Sequence, residues 1–151
     1  MLKFTSGNLL ESKCYALVNT VNTVGVMGKG IALQFKNEFP YNYKVYRKAC
    51  QTRQLQIGRL LPVKDRSLLL GERLIINSPT KTHWRLPSAY TYIEQGLIAL
   101  AKFIAEERIQ VIAVPALGCG NGGLDWLIVK EMIYRHLEPV NAVIEIYQPA
   151  Q

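Results

Sequence analysis

Apolar positions along this chain switch repeatedly between two patterns. Short runs without strict alternation read as strands buried on both faces: Leu2–Thr5, Tyr15–Asn19, Arg73–Ser78, Val111–Val114 and Ala142–Tyr147. Between them lie helix-period stretches at Gly30–Asn37, Tyr41–Cys50, Ser88–Glu107 and Leu124–Leu137. In the third, Ile93, Leu97, Leu100 and Ile104 make one apolar stripe, with Ser88 after Pro87 as the expected N-cap. In the fourth the stripe is Leu124, Ile128, Met132 and Leu137, and Pro139 ends it. A further strand pair is expected at Gly58–Val63 and Ser67–Leu70, turning through Lys64-Asp65-Arg66. The alternation predicts a mixed sheet between two helix layers, an α/β fold of three-layer α/β/α type, with residues 1–151 as a single domain.

Two of the strand-to-helix junctions are rich in glycine. After Val111-Ile112-Ala113-Val114 comes Pro115-Ala-Leu-Gly-Cys-Gly-Asn-Gly-Gly-Leu-Asp-Trp126, with four glycines in the six residues from Gly118 to Gly123. After Tyr15-Ala-Leu-Val18 comes Asn19-Thr-Val-Asn-Thr-Val-Gly-Val-Met-Gly-Lys-Gly30, followed by helix-spaced Ile31, Phe35 and Phe39. The glycine spacing fits neither a dinucleotide fingerprint nor a Walker A loop. Such junctions present free backbone N–H groups and the positive end of a helix dipole, and glycine allows close approach of an anion. Each loop alone can also be read as a tight connection; two at the carboxyl ends of strands point to a nucleotide-like ligand with two phosphates.

Composition narrows the setting. The apolar fraction is 49%, and no run approaches the roughly 20 apolar residues that span a bilayer. The N-terminus lacks the regions of a signal peptide. Cys14, Cys50 and Cys119 are odd in number and far apart, which indicates neither a disulfide framework nor zinc, and a cytoplasmic location is expected. Eighteen Lys and Arg against 11 Asp and Glu give a net charge of +7, which favours polyanionic partners. Lys36, Lys44, Arg47, Lys48 and Arg53 gather around one predicted helical region.

The candidates for chemistry lie in Ile75-Ile-Asn-Ser-Pro-Thr-Lys-Thr-His-Trp-Arg85, where a buried strand runs out into a polar, aromatic loop. Lys81 beside a partly desolvated pocket and other cations would have a lowered pKa and a usable amine, although most loop lysines are simply solvated. His83 suits a general base or a structural hydrogen bond, and Trp84 either stacks on a base or plugs the loop. Asn22 suits a bond to a sugar hydroxyl or to its own turn, Asp125 reads as a helix cap, and Tyr147 either stacks on a purine or closes the sheet. No paired carboxylates, Ser-His-Asp order or metal-spaced cluster stand out, and no cofactor is expected.

Thr5-Ser-Gly-Asn-Leu-Leu10, Val18-Asn-Thr-Val-Asn22, the loop through Gly30 and Pro115–Trp126 resemble the successive signature segments of the macrodomain family, over essentially the whole chain. Within it, Asn19–Phe35 with Lys81-Thr-His-Trp-Arg85 is similar to the DNA ADP-ribosyl glycohydrolase antitoxins, relatives of the terminal ADP-ribose glycohydrolase group. The resemblance implies an ADP-ribose cleft. Asn8 (aspartate in many members) and Leu9 would meet the adenine end, with Tyr147 near the base. Asn22 would face the distal ribose. The diphosphate would lie on the backbone of Val26, Met27, Gly28, Lys29 and Gly30, and of Gly118, Cys119, Gly120, Asn121, Gly122 and Gly123. Lys81 matches the catalytic lysine and would act at the anomeric carbon, as nucleophile or through proton transfer. Where the terminal-glycohydrolase relatives carry a catalytic aspartate this chain has Gly122, so Lys81 needs another helper, His83 or the substrate's own phosphate.

The function so implied is removal of ADP-ribose from nucleobases, thymidine in single-stranded DNA, with Trp84 and Arg85 against the strand. The partners implied are ADP-ribose, ADP-ribosylated single-stranded DNA and a cognate DNA ADP-ribosyltransferase toxin, to which the chain would be the antitoxin. No membrane partner is implied, and a monomer is expected. The rivals are a non-catalytic ADP-ribose reader and a hydrolase of ADP-ribosylated protein or O-acyl-ADP-ribose.

Overall fold

A computed structural model describes residues 1–150. Six strands form one sheet in the order β1-β6-β5-β2-β4-β3: β1 is Leu2–Thr5, β2 Ala16–Asn22, β3 Leu61–Ser67, β4 Gly71–Lys81, β5 Val111–Pro115 and β6 Val143–Tyr147. Five are mutually parallel, and β3 runs antiparallel to β4 at one edge. The helices are α1 (Gly30–Glu38), α2 (Pro40–Gln51), α3 (Tyr90–Glu106) and α4 (Trp126–Leu137).

Successive side chains on a strand face opposite ways, and the core divides accordingly. Val18, Ile76, Ile112 and Val114 pack under α3 and α4 with Ile93, Leu97, Leu100 and Ile104, the stripe expected from the sequence. Their neighbours Leu17, Ile75 and Ala113 point the other way, against Phe35 and Phe39. The sheet therefore carries helices on both faces, the mixed three-layer arrangement expected.

Three expectations need correction. Lys64-Asp65-Arg66 is not a turn: it lies within β3, and the hairpin turns at 68–70 instead. As an edge strand β3 keeps polar side chains on its outer face, with only Val63 and Ser67 buried, whereas Leu68 and Leu69 are apolar yet fully out in solvent. The turn is held by the Ser67 hydroxyl, which accepts from the N–H groups of Leu69 and Leu70, and by Gly71 at φ +79°. Ser88 is not the cap of α3; Ala89 holds that position, and the Ser88 N–H donates instead to Gly122 O at 2.9 Å. The buried face of α4 is Val129, Met132, Ile133 and Leu137, with Ile128 exposed. Asp125, by contrast, caps α4 as expected, accepting from Leu127 N–H at 2.9 Å.

The sheet's topology makes a crevice. The chain leaves β2 toward α1 on one face and leaves β5 toward α4 on the other, and β2 and β5 are neighbours. They pair only at Ala16↔Ile112 and Leu17↔Ala113, while β2 continues to Asn22. Beyond Leu17 the two strands part, and the space between them opens at their carboxyl ends.

Candidate functional site

A cleft of about 1420 Å³ occupies this opening. Thr20, Val21 and Asn22 at the end of β2 and Pro115 at the end of β5 form its floor, and the two glycine loops form its walls.

The first loop is built on Asn22, a residue only 7% exposed. Its Oδ1 accepts from the N–H groups of Val24, Gly25 and Val26 at 3.1, 3.2 and 3.3 Å, and its Nδ2 donates to Val26 O at 2.8 Å. Beneath it the Tyr46 hydroxyl of α2 reaches Asn22 O at 2.7 Å and Oδ1 at 2.9 Å. Asn22 lines the cleft, but its carbonyl oxygen is committed to the turn, so the loop-stabilising reading of this residue holds in the geometry. Gly28, Lys29, Gly30 and Val26 face the cleft, while Met27 turns its side chain into the core against Tyr46 and Leu55.

The second loop comes close enough to the first that a Cβ on Gly30 would meet Asn121 Nδ2 at 3.3 Å. Gly118, at φ +73°, is boxed in: a Cβ there would lie 2.8 Å from Leu124 Cδ1 and 2.9 Å from Ile93 Cδ1. Gly120 and Gly123 also have positive φ, but with open space around them. Gly118, Cys119, Gly120, Asn121, Gly122 and Gly123 all line the cleft. Burial, and then the nearby Asp125 carboxylate, push the Cys119 thiol up to about 11, so it is a protonated thiol at neutral pH.

Lys81 is brought in by a slip in the β2–β4 register: Val21 pairs with Pro79 and Asn22 with Lys81, leaving Thr80 without a partner. Thr23 then ties the first loop to this strand end through its N–H to Lys81 O at 3.1 Å and its hydroxyl to Thr82 O at 3.0 Å. Lys81 Nζ lies in the cleft 3.5 Å from Trp84 O. Partial burial lowers its pKa, and the charge of Lys29 lowers it further. Among the described residues Lys29, Lys81 and Arg85 are the cations of the lining, and no Asp, Glu or His side chain lines it. His83 lies outside the lining; its Nδ1 accepts from Arg85 N–H at 3.1 Å, and its ring stacks on Trp84 at 5.4 Å. The Arg85 guanidinium sits 4.6 Å from the Trp84 ring centroid. Trp84 and Arg85 line the cleft mouth, and Trp84 is 42% exposed.

Asn8, Leu9 and Tyr147 also line the cleft. Asn8 accepts from Leu10 N–H and donates to Gln34 Oε1 at 2.8 Å, while Leu9 is buried. The Tyr147 hydroxyl is 3.5 Å from Glu145 Oε1, and burial raises its pKa. Gln34, Thr80 and Gln148 also line the cleft and escaped the sequence reading. Gln34 lies one turn beyond Gly30 on α1, and that spacing could have found it; nothing in the local pattern marks the other two.

Two glycine loops at a sheet's topological switch point, with a six-stranded mixed sheet between helix layers, define a macrodomain architecture. The Macro domain family model matches residues 18–133, and the chain belongs to that family. Among its relatives is the DNA ADP-ribosyl glycohydrolase of Thermus aquaticus, 55% identical over all of this chain and 42% of that protein. The solved macrodomain of Thermus aquaticus DarG superposes with a TM-score of 0.91 at 54% identity, covering 99% of both chains. Thermosipho africanus DarTG, solved in complex with ADP-ribose, gives a TM-score of 0.90 at 39% identity over 98% of this chain and 41% of that one. This chain thus spans less than half the length of the curated glycohydrolase it matches.

Proposed function

We propose that this domain is an ADP-ribosyl glycohydrolase that removes ADP-ribose from a nucleobase, the thymine of thymidine, in single-stranded DNA. The observation that carries the reading is the Lys81 amine in a cleft of the right size and charge, its pKa lowered by burial and by Lys29. The names of the relatives at 37 to 55% identity, DNA ADP-ribosyl glycohydrolases, support the same substrate class. In this reading the diphosphate lies on the glycine loops, where backbone N–H groups and the Lys29 and Arg85 charges meet it. The adenine end lies by Asn8, Leu9 and Tyr147. Lys81, as the neutral amine, acts at the anomeric carbon of the distal ribose: the bond from that carbon to the base breaks, and the base leaves with the electron pair and gains a proton. Water supplies the hydroxyl of the released ADP-ribose. Lys81 either forms the transient bond to that carbon or moves the proton of the attacking water. Among the described residues no Asp, Glu or His side chain lines the cleft to share this work; in this reading the substrate's own phosphate is the second base, and His83 serves to hold the Trp84–Arg85 loop.

By the same reading the domain reverses the action of a cognate DNA ADP-ribosyltransferase, as antitoxin to toxin, and works in the cytoplasm as a monomer. The fusion architecture of the Thermosipho africanus relative, named for both activities, supports that pairing.

The test is a single-stranded oligonucleotide ADP-ribosylated on thymine, incubated with the wild-type protein and with Lys81→Ala. Release by the wild type alone, with ADP-ribose bound by both, is the expected result. A Lys81→Ala variant turning over at the wild-type rate would overturn the mechanism; no release by either, with ADP-ribose still bound, would make the domain a reader.

A further inference from the structure

From Phe39 to Lys64 the chain carries Lys44, Arg47, Lys48, Arg53, Arg59 and Lys64 and no acidic residue, so this stretch holds +6 of the net +7. Among the described residues none of these six forms a salt bridge. Three of them, Lys44, Arg47 and Lys48, fall at i, i+3 and i+4 on α2 and are exposed, with Tyr41 one turn earlier and 57% exposed. The opposite face of the helix, Asn42, Tyr46, Ala49 and Cys50, is buried. The charge is therefore gathered on one ridge. That ridge adjoins the cleft: a Cβ on Gly25 in the first loop would lie 3.7 Å from Arg47 Cγ and 3.5 Å from Cys50 Cβ, and Tyr46 holds Asn22 directly below. Across the same loop lie Lys29 and Lys81.

We infer that the outer face of α2, centred on Lys44, Arg47 and Lys48, carries the phosphodiester backbone of the single strand whose modified base occupies the cleft. The inference rests on the proposed substrate. Unpaired like charges repel one another and remain clustered at a cost in stability, and a regularly spaced polyanion relieves that repulsion by releasing its counterions. Three cations at helical spacing suit successive phosphates, and the exposed Tyr41 ring offers a face for an unstacked base.

The experiment compares the wild type with the triple variant Lys44→Gln, Arg47→Gln, Lys48→Gln, and with Lys102→Gln on α3, across the sheet from α2, as a charge control. Binding of an unmodified single-stranded oligonucleotide is measured by fluorescence anisotropy across a salt series. Release of ADP-ribose from the ADP-ribosylated oligonucleotide and from ADP-ribosylated thymidine is measured alongside. For the triple variant we expect oligonucleotide affinity to fall by about tenfold or more, and the slope of log K against log salt to shrink by about 2, three phosphates at ~0.7 each. Turnover of ADP-ribosylated thymidine should stay at the wild-type rate, and Lys102→Gln should leave affinity and slope near those of the wild type. Unchanged strand affinity and slope in the triple variant, or an equal loss in the Lys102→Gln control, would overturn the inference. Wild-type protein that binds the oligonucleotide through this ridge but releases ADP-ribose from neither substrate would instead overturn the proposed activity and leave the surface standing.

Discussion

Gly118 and Gly120 have nearly the same positive φ, +73° and +72°, and differ in what surrounds them. Replacing either with alanine forces an L-residue into the left-handed region at about 1–2 kcal/mol, offset by ~0.5 kcal/mol because the unfolded chain loses freedom. For Gly120, with no atom within 4 Å of the new methyl, the account ends there, at about 1 kcal/mol. At Gly118 the methyl would lie 2.8 Å from Leu124 Cδ1, 2.9 Å from Ile93 Cδ1 and 3.1 Å from Ser88 Oγ. Ile93 is fully buried in the core under α3 and has little room to yield, so overpacking adds about 1–3 kcal/mol. Gly118→Ala should therefore cost about 2–4 kcal/mol. The assay is urea denaturation with matched m-values, run as a cycle with Ile93→Val, which removes the Cδ1 that the new methyl strikes. Alone, Ile93→Val should cost about 1 kcal/mol; in the Gly118→Ala background it should cost nothing or restore stability. Equal losses for Gly118→Ala and Gly120→Ala, or strict additivity in the cycle, would refute the steric reasoning.

Two more outcomes follow from the site. Burial first and Lys29 second lower the Lys81 pKa, so Lys29→Gln removes one of the two causes and lets it rise toward the ordinary lysine value. On the proposed mechanism the neutral amine is the active form, so the ascending limb of the pH profile of kcat should move to higher pH; a limb that stays fixed or moves to lower pH would count against that role. Tyr46→Phe keeps the ring in the core but leaves Asn22 O and Oδ1 without the hydroxyl, at about 1–3 kcal/mol. Urea unfolding should report the loss, and calorimetry should report weaker ADP-ribose binding as the first loop loosens; wild-type values in both would show that the hydroxyl does not hold the loop.

Much of this was legible in the chain. The two glycine loops, the α3 stripe and the Asp125 cap each announce themselves through local patterns of two to four residues, and local chemistry decides them. The misreadings arose where tertiary position outweighs local pattern. Lys64-Asp65-Arg66 looks like a turn until β3 is seen to be an edge strand, where one polar face is normal. Ser88 looks like a cap until its N–H is seen to hold Gly122, an interaction 34 residues away in sequence. The register slip that sets Lys81 opposite Asn22, and the parting of β2 from β5 that opens the cleft, are properties of strand pairs, and no single segment encodes them.

The division of labour in the cleft bears on the missing aspartate. Gly122 stands where the terminal-glycohydrolase relatives are expected to carry a carboxylate, and no Asp or Glu among the described residues lines the cleft. A carboxylate in the cleft would do two things to Lys81: it would favour the ammonium form and raise the pKa, and it would repel the diphosphate. The cleft does the reverse on both counts. Lys29 and partial burial favour the free amine, and among the described residues the charged side chains of the lining are all cations. On the proposed mechanism the chemistry rests on the Lys81 amine, while the diphosphate is held by the glycine loops together with Lys29 and Arg85. Substitutions at Lys81 should therefore separate turnover from binding cleanly, whereas substitutions at the boxed-in Gly118 should damage both together.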